Sequence, residues 1–205
     1  MTTVKLMAAV CASCLLATVA ISGANETLVE LARRNAPDPV IIERTYEIVP
    51  TPFERIAQAA SLIVHGTIMP IRTYFSDDQM SIYTDYLVTP LRVIFESSVP
   101  QGTATPGVPQ PIVMTRWGGT MTVEGVQVIL NDRHAQPLES TPELVLALVK
   151  TQNGKYQLVS DLTGTFGVRN GSMELLGFDT QFDIHARFMG MGIGQFESEV
   201  KRLKP

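Results

Sequence analysis

Both cysteines of the chain, Cys11 and Cys14, lie inside an apolar run at its N-terminus, and their placement limits how the rest can be held together. Lys5 supplies a positive start, and Leu6 to Ile21 is broken only by Ser13 and Thr18. Ser22 and Ala24 then put small residues where a signal peptidase reads them. That order is the pattern of a secretory signal, expected over residues 1–24 with cleavage after Ala24. A cut after Ala20 and a retained membrane anchor are the alternatives, although a span needs roughly 20 apolar residues. Acylation of either cysteine fits less well, because Ala8 and Cys11 stand where a lipoprotein signal carries leucine, three residues before each. Once the signal is removed no cysteine remains, so neither a disulfide nor a thiolate metal site is available. The remaining domain of roughly 180 residues must be held by core burial, and a chain of that size buries about 70% of its unfolded surface.

The chain has 16 basic and 20 acidic residues, and the signal contains only Lys5 among them, which leaves 15 against 20. No basic face emerges, so nucleic acid is not an expected partner, since that affinity rests on neutralising phosphates. An anionic membrane surface is disfavoured for the same reason, and no membrane span is expected after signal cleavage.

Residues 25–50 are expected as an N-terminal arm or linker. Within it, Glu26 to Asn35 forms a short amphipathic helix or a frayed arm, with Leu28, Leu31 and Ala32 on one side. Ala36-Pro37-Asp38-Pro39 stops it. Val40 to Val49 alternates, with Val40, Ile42, Tyr46 and Ile48 on one face, as a half-buried strand or extended arm does. Thr51-Pro52-Phe53-Glu54 then reads as a capping box with proline at the first helical position, opening a helix to about Ala60.

From Ser61 onward the periodicity is that of strands. Leu62, Val64, Gly66 and Ile68 alternate with Ile63, His65 and Thr67. After the polar turn Ser76-Asp77-Asp78-Gln79, a long strand spans Met80 to Glu96. Its inward set begins as Met80, Ile82, Tyr86 and Val88 and then changes parity to Leu91, Val93 and Phe95, which requires a bulge or sharp coil near Thr89-Pro90. Pro100 to Pro111 is a proline- and glycine-rich loop. Strands follow over Ile112–Trp117, Met121–Val123 and Val126–Val128, the last two joined through Glu124-Gly125, and Asn131 to Pro142 is a polar loop. Glu143 to Lys150 is apolar enough to be buried on both faces. Asn153-Gly154 and Asn170-Gly171 supply two-residue hairpin turns and imply a meander. A strand Phe178–Ile184, a flexible break Gly190–Gly194 and a helix Gln195–Leu203 complete the chain.

A short helix leading into Ala60-Ser61-Leu62-Ile63-Val64-His65-Gly66-Thr67, a bent strand ending Leu91-Arg92-Val93-Ile94-Phe95, a strand ending Gly118-Gly119, and Thr141-Pro142-Glu143-Leu144-Val145-Leu146-Ala147-Leu148 form a recognisable series. Over Thr51 to Leu176 it resembles the five-stranded OB-type barrel of netrin-like modules and tissue inhibitors of metalloproteases, in a cysteine-free form similar to exported bacterial domains. The resemblance implies a barrel that presents loops to a protein partner. The inhibitors' zinc-chelating N-terminal cysteine has no counterpart here. The expected fold is therefore mainly β, all-β leaning to α+β. It is a single small antiparallel OB-like barrel over residues 51–205, with a short helix before its first strand and a C-terminal helix.

The reactive residue types give no assignable constellation. His65 sits on the strand face opposite Leu62 and Val64, where a structural or surface role is expected. His134 follows Asp132 and His185 follows Asp183, but neither pair has a third ligand at metal spacing. Asp77-Asp78 lacks the spaced oxygen ligands of a calcium loop. Ser172, after Asn170-Gly171, opens no helix as a nucleophile elbow would, and both Asn170-Gly171-Ser172 and Asn25-Glu26-Thr27 fit glycosylation spacing only formally. Gly190–Gly194 follows no βαβ unit. Trp117, beside Gly118-Gly119, is either core or an aromatic binding surface. No catalytic, cofactor-binding or metal residue is assigned and no cofactor is expected. The leading expectation is a periplasmic or secreted, non-enzymatic domain that binds a protein or cell-envelope partner through the loop Val99–Gln110 and the Trp117 region. The alternatives are a metal-dependent hydrolase using His134, His185 and nearby carboxylates, and a structural envelope component.

Overall fold

The computed structural model describes residues 26–44, 51–97, 110–132, 138–160, 164–176 and 186–204. The expected signal, most of the loop from Val99 to Gln110 and the expected strand Phe178–Ile184 lie outside the described residues. The elements are α1 (Leu28–Asn35), β1 (Val40–Arg44), α2 (Phe53–Ala59), β2 (Leu62–Phe75), β3 (Ile82–Glu96), β4 (Ile112–Trp117), β5 (Gly119–Val123), β6 (Val126–Asp132), β7 (Leu144–Lys150), β8 (Tyr156–Leu158), β9 (Thr165–Arg169), β10 (Ser172–Leu175) and α3 (Ile193–Leu203).

Five strands close a barrel in the order β2-β3-β4-β8-β7, with β7 returning to β2. The pairings are antiparallel except where β8 meets β4, in parallel, at Met114 and Tyr156. β7 organises it. Leu144, Leu146 and Leu148 point into the barrel with Leu62, Val64, Val88 and Met114. Val145 and Ala147, on the opposite face, join Phe53, Ile56 and Ala57 of α2 and Phe196 and Val200 of α3. The strand is thus buried on both sides, as its unbroken apolar run requires. Four phenylalanines, Phe53, Phe166, Phe188 and Phe196, meet on that outer side with ring centroids 4.8–5.7 Å apart, mostly edge to face. Each is fully buried.

The parity change in β3 is a pair of bulges. His65 pairs with Arg92 and Gly66 with Pro90, so Leu91 is extruded; Ile63 pairs with Phe95 and Val64 with Val93, so Ile94 is extruded. Leu91 accordingly faces solvent rather than the core, and Ile94 is buried against the helices. Gly66 permits the tight coil, since a Cβ there would lie 2.5 Å from the Thr89 carbonyl oxygen. Met80 also departs from expectation: it lies in the turn, exposed, and β3 begins at Ile82.

Of the alternatives for the N-terminal segment, residues 26–44 take the amphipathic helix and the half-buried strand, and together these form a layer of the structure. β1 pairs in parallel with β6, which pairs with β5, making a second, three-stranded sheet. Leu28, Leu31 and Ala32 of α1 pack on it with Val40, Val126, Val128 and Leu130. Thr27 and Glu30 form a reciprocal capping box at the start of α1. At α2 the helix begins at Phe53, with Pro52 as its N-cap rather than Thr51 and no capping hydrogen bond from the Pro52 side chain.

The two Asn-Gly turns differ. Asn170-Gly171 is a two-residue turn with positive φ at both positions. At Asn153-Gly154 the loop closes one residue wider, where the Thr151 N–H donates to the Lys155 carbonyl. The expected antiparallel meander results, with β8 and β9 lying end to end along one edge of β7 as one interrupted strand and β10 folding back on β9. Ala147 bridges them: its carbonyl accepts from Val159 N–H and its N–H donates to Gly164. The glycine run is also structured, with Gly190 N–H donating to the Met173 carbonyl and Met173 N–H to that of Met191. Among the described residues no helix is long and apolar enough to cross a membrane.

The phenylalanine cluster is the largest aromatic block in the core, and α2 and α3 both depend on it. Truncation by Phe53→Ala is expected to destabilise the fold by about 3–5 kcal/mol, with a fall in melting temperature of about 10 °C. Calorimetry or urea denaturation measures this, and Leu91→Ala on the exposed bulge serves as the near-neutral control.

Candidate functional site

β2 and β3 pair over almost their whole length and carry the β2–β3 turn far past the point where β7 leaves β2, at Gly66. Alternation of side chains along this ribbon puts Thr73, Thr84 and Tyr86 on one face and Tyr74, Tyr83 and Asp85 on the other. Each face borders a recess.

The larger recess, a cleft of about 550 Å³, opens between the barrel mouth and the three-stranded sheet. It is lined by Thr73, Thr84 and Tyr86 of the ribbon, Arg116 and Trp117 of β4, Thr120 of β5, Asn131 and Asp132 of β6, and also by Glu43 and Glu139. The chain crosses from barrel to sheet through Gly118 and Gly119, whose φ angles of +99° and +141° only glycine adopts readily. A Cβ on Gly119 would meet Thr84 Oγ1 at 2.4 Å. The same crossing is fixed by hydrogen bonds from Gly118 N–H to the Ile82 carbonyl and from Thr84 Oγ1 to the Gly118 carbonyl. Trp117 is half-buried, packs against the core beneath α1 and lines this cleft. Tyr86 donates to Glu139 Oε1 at 2.6 Å. Burial pushes the Tyr86 hydroxyl well above the usual tyrosine range and the Glu139 carboxylate adds to this, so the group stays a donor.

The smaller recess, a groove of about 300 Å³, lies on the other face between the β2–β3 and β7–β8 turns. Behind its lining residues Thr115 and Lys155 sits Asp85, only 4% exposed although it is a charged residue in mid-strand. Lys155 Nζ donates to Asp85 Oδ2 at 2.7 Å, Thr115 Oγ1 to Oδ1 at 2.6 Å, and the Tyr74 hydroxyl to Oδ1 at 3.3 Å. Burial pushes the Asp85 carboxyl up, but the hydrogen bonds from Lys155 and Thr115, with the Lys155 charge, outweigh it and the net shift is downward. The hydrogen bond to Asp85 likewise raises the Lys155 ammonium, so both groups are held charged.

His65 Nε2 lies 2.8 Å from Glu143 Oε2, tying β2 to the start of β7 on the barrel's outer face, a structural position remote from both recesses. His134 and His185 lie outside the described residues, as does Asn25. Asp78 is engaged within its own turn, accepting from Ser76 Oγ and from Met80 N–H, while Asp77 lines the groove. Asn170 and Gly171 form the β9–β10 turn and Ser172 begins β10. Among the described residues no group of three or more His, Cys, Asp or Glu is arranged to hold a metal ion. Of the residues singled out in the sequence, Trp117, Gly118, Gly119 and Asp132 line the cleft and Ser76, Asp77 and Asn153 the groove, while Asp85, Lys155, Arg116 and Glu139 were missed. A carboxylate within Tyr83-Thr84-Asp85-Tyr86-Leu87-Val88 is a detectable signal, since aspartate is disfavoured in strands and needs a partner when buried.

Compared with protein-family models, curated proteins and solved structures, the chain matches none.

Removing one partner of a buried hydrogen-bonded charge leaves the other unsatisfied. Lys155→Met is therefore expected to cost about 1–3 kcal/mol, and Asp85→Asn in the same background to recover part of it, as a double-mutant cycle by urea denaturation will show. Because the folded Asp85 pKa is depressed, its contribution is complete above the ordinary aspartate value of about 3.9 and is lost as pH falls through the lower folded value. The stability of Asp85→Asn should accordingly depend less steeply on pH below about pH 4 than that of the parent.

Proposed function

We propose that the protein is an exported, non-enzymatic binding domain that holds a protein or other cell-envelope partner in the cleft at the barrel mouth. One observation carries the reading: a recess of about 550 Å³ in which a tryptophan, a buried tyrosine, an arginine and three carboxylates converge. Ligand sites favour the mouths of barrels and the junctions between layers, where a few placed polar groups fix orientation against aromatic walls. Three features favour binding over simple support. The cleft walls are fixed by the Gly118-Gly119 crossing, so little ordering is needed on association. Arg116 and the aromatic residues are of the types that dominate binding hot spots. The apolar run at Leu6–Ile21, followed by Ser22-Gly23-Ala24, supports export and a partner outside the cytoplasm.

Trp117 is the only tryptophan in the chain, so intrinsic fluorescence reports on the cleft directly. Immobilised protein is expected to retain a defined component of an envelope fraction, and the purified component to shift the Trp117 emission. Thr120→Arg, on an exposed position of the cleft wall, should abolish both effects with an unchanged melting temperature. Equal retention by the parent and Thr120→Arg proteins would exclude the cleft as the binding surface. N-terminal sequencing of the exported protein should begin at Asn25.

A further inference from the structure

We propose that the groove between the β2–β3 and β7–β8 turns is a second binding site, one that takes a short stretch of uncharged glycan. It lies on the opposite face of the ribbon from the cleft, so the proposal stands independently of what the cleft binds.

The walls are rigid before any ligand arrives. Ser76 Oγ bridges Asp78 Oδ1 and the Ser81 carbonyl and accepts from Ser81 N–H, which locks one turn. In the other, Thr151 Oγ1 donates to Asn153 Oδ1 at 2.5 Å and to the Lys155 carbonyl at 2.7 Å. Between them Tyr74 and Tyr83 present adjoining rings, with centroids 6.1 Å apart and planes inclined by 32°. The Arg72 guanidinium, 4.4 Å from the Tyr74 ring centroid, and Lys155 Nζ at 5.4 Å hold that tyrosine in place. Aromatic surface of this kind packs the C–H faces of a sugar ring. The rim adds the Gln157 amide and the Asp77 carboxylate, which can serve a ring's hydroxyls as donor and acceptor. No hydrogen bond among the described residues engages the side chains of Tyr83 or Gln157, so both remain available.

Charge selects among ligands. The one lysine lining the groove is committed to Asp85, and Asp77 adds a negative charge at the rim. A nucleic acid strand, which is held mainly through cations on its phosphates, finds no such set here. A peptide that adds to a strand edge or lays an apolar face into a hydrophobic groove finds neither beside the Asp85–Lys155 pair, and a proline-rich peptide, which docks aromatic-lined grooves, is the competing arm of the titration. A neutral polyhydroxylated chain satisfies the aromatic walls and the polar rim together, and the volume sits at the lower end for small-ligand pockets.

The test is a nuclear magnetic resonance titration of the purified full-length protein with chito-, cello- and malto-oligosaccharides, with single-stranded oligo-dT and a proline-rich peptide as the other arms. At least one oligosaccharide is expected to shift amide resonances of residues 74–77, 83 and 151–157. Tyr83→Leu and Gln157→Ala should each weaken that binding by about tenfold or more, as loss of a central contact does, with unchanged melting temperatures. Thr120→Arg, on the cleft, should bind the sugar like the parent. The proposal is overturned if no oligosaccharide shifts these resonances, if both groove variants bind like the parent, or if oligo-dT or the peptide binds there in preference.

Discussion

The packing of Phe53, Phe166, Phe188 and Phe196 against the outer face of β7 is the contact on which the rest of the molecule depends. A five-stranded barrel encloses a small interior, and no cysteine lies among the described residues to staple it, so the outer face of its central strand must also be used. The alternation in β7 provides this. Leu144, Leu146 and Leu148 fill the barrel, and Val145 and Ala147 seat the helices. The aromatic block gathers α2, β9, the short turn at Ala186–Phe188 and α3 onto that outer face. Lys204, at the end of α3, closes the arrangement by donating to the Ala60 carbonyl and lying 3.8 Å over the Phe95 ring, where burial lowers its pKa.

With one end of the barrel anchored, the other is free to carry recesses. The bulges at Leu91 and Ile94 coil β3 around β2 at the anchored end, and a third at Ile71 twists β2 beyond the last β7 pairing. The ribbon then extends past the barrel and separates cleft from groove. The second sheet covers one side of it, reached through two glycines in conformations that other residues rarely adopt. Capped α1 and the Arg33–Glu124 contact, 2.6 Å long and exposed at both ends, attach the helix to the β5–β6 turn. The apolar stripe beneath α1 supplies most of the holding energy there, since exposed ion pairs contribute little.

What could be read from the sequence was what local periodicity encodes. The double burial of β7, the parity slip at Pro90, the turn at Asn170-Gly171 and the helix ending at Leu203 each follow from neighbours within a few positions. The errors share a cause. The helix and strand within residues 26–44 are legible locally, but their docking on β6 is not, because that partner lies far along the chain. Leu138 sat in a stretch read as polar loop, yet it plugs the barrel interior. Asp85 and Lys155 are 70 positions apart, and only closure of the barrel through β8 brings them together. Trp117 was legible as a choice between core and exposed surface, and the fold sets it against the core and at the cleft at once, because its strand ends where barrel and second sheet diverge.

The placement of that ion pair explains the character of the ribbon's outer face. Cross-strand partners form rows there: Met69, Leu87 and Val113, then Arg72, Asp85 and Thr115, then Tyr74 and Tyr83. Met69 is 55% exposed, so the first row already presents apolar surface to solvent. A second apolar row would merge with it and with the tyrosines into one continuous patch, of the kind that drives non-specific association. Apolar residues at the middle row would also pack at least as stably, because desolvating a buried ion pair offsets most of its attraction. The charged row therefore contributes less to stability than to the division of the face. It separates the apolar strip from the aromatic pair, and it gives the groove a fixed, nearly neutral backing whose lysine is already engaged. Selectivity at this end of the barrel would then come from ring faces and rim hydrogen bonds, with net charge playing a minor part.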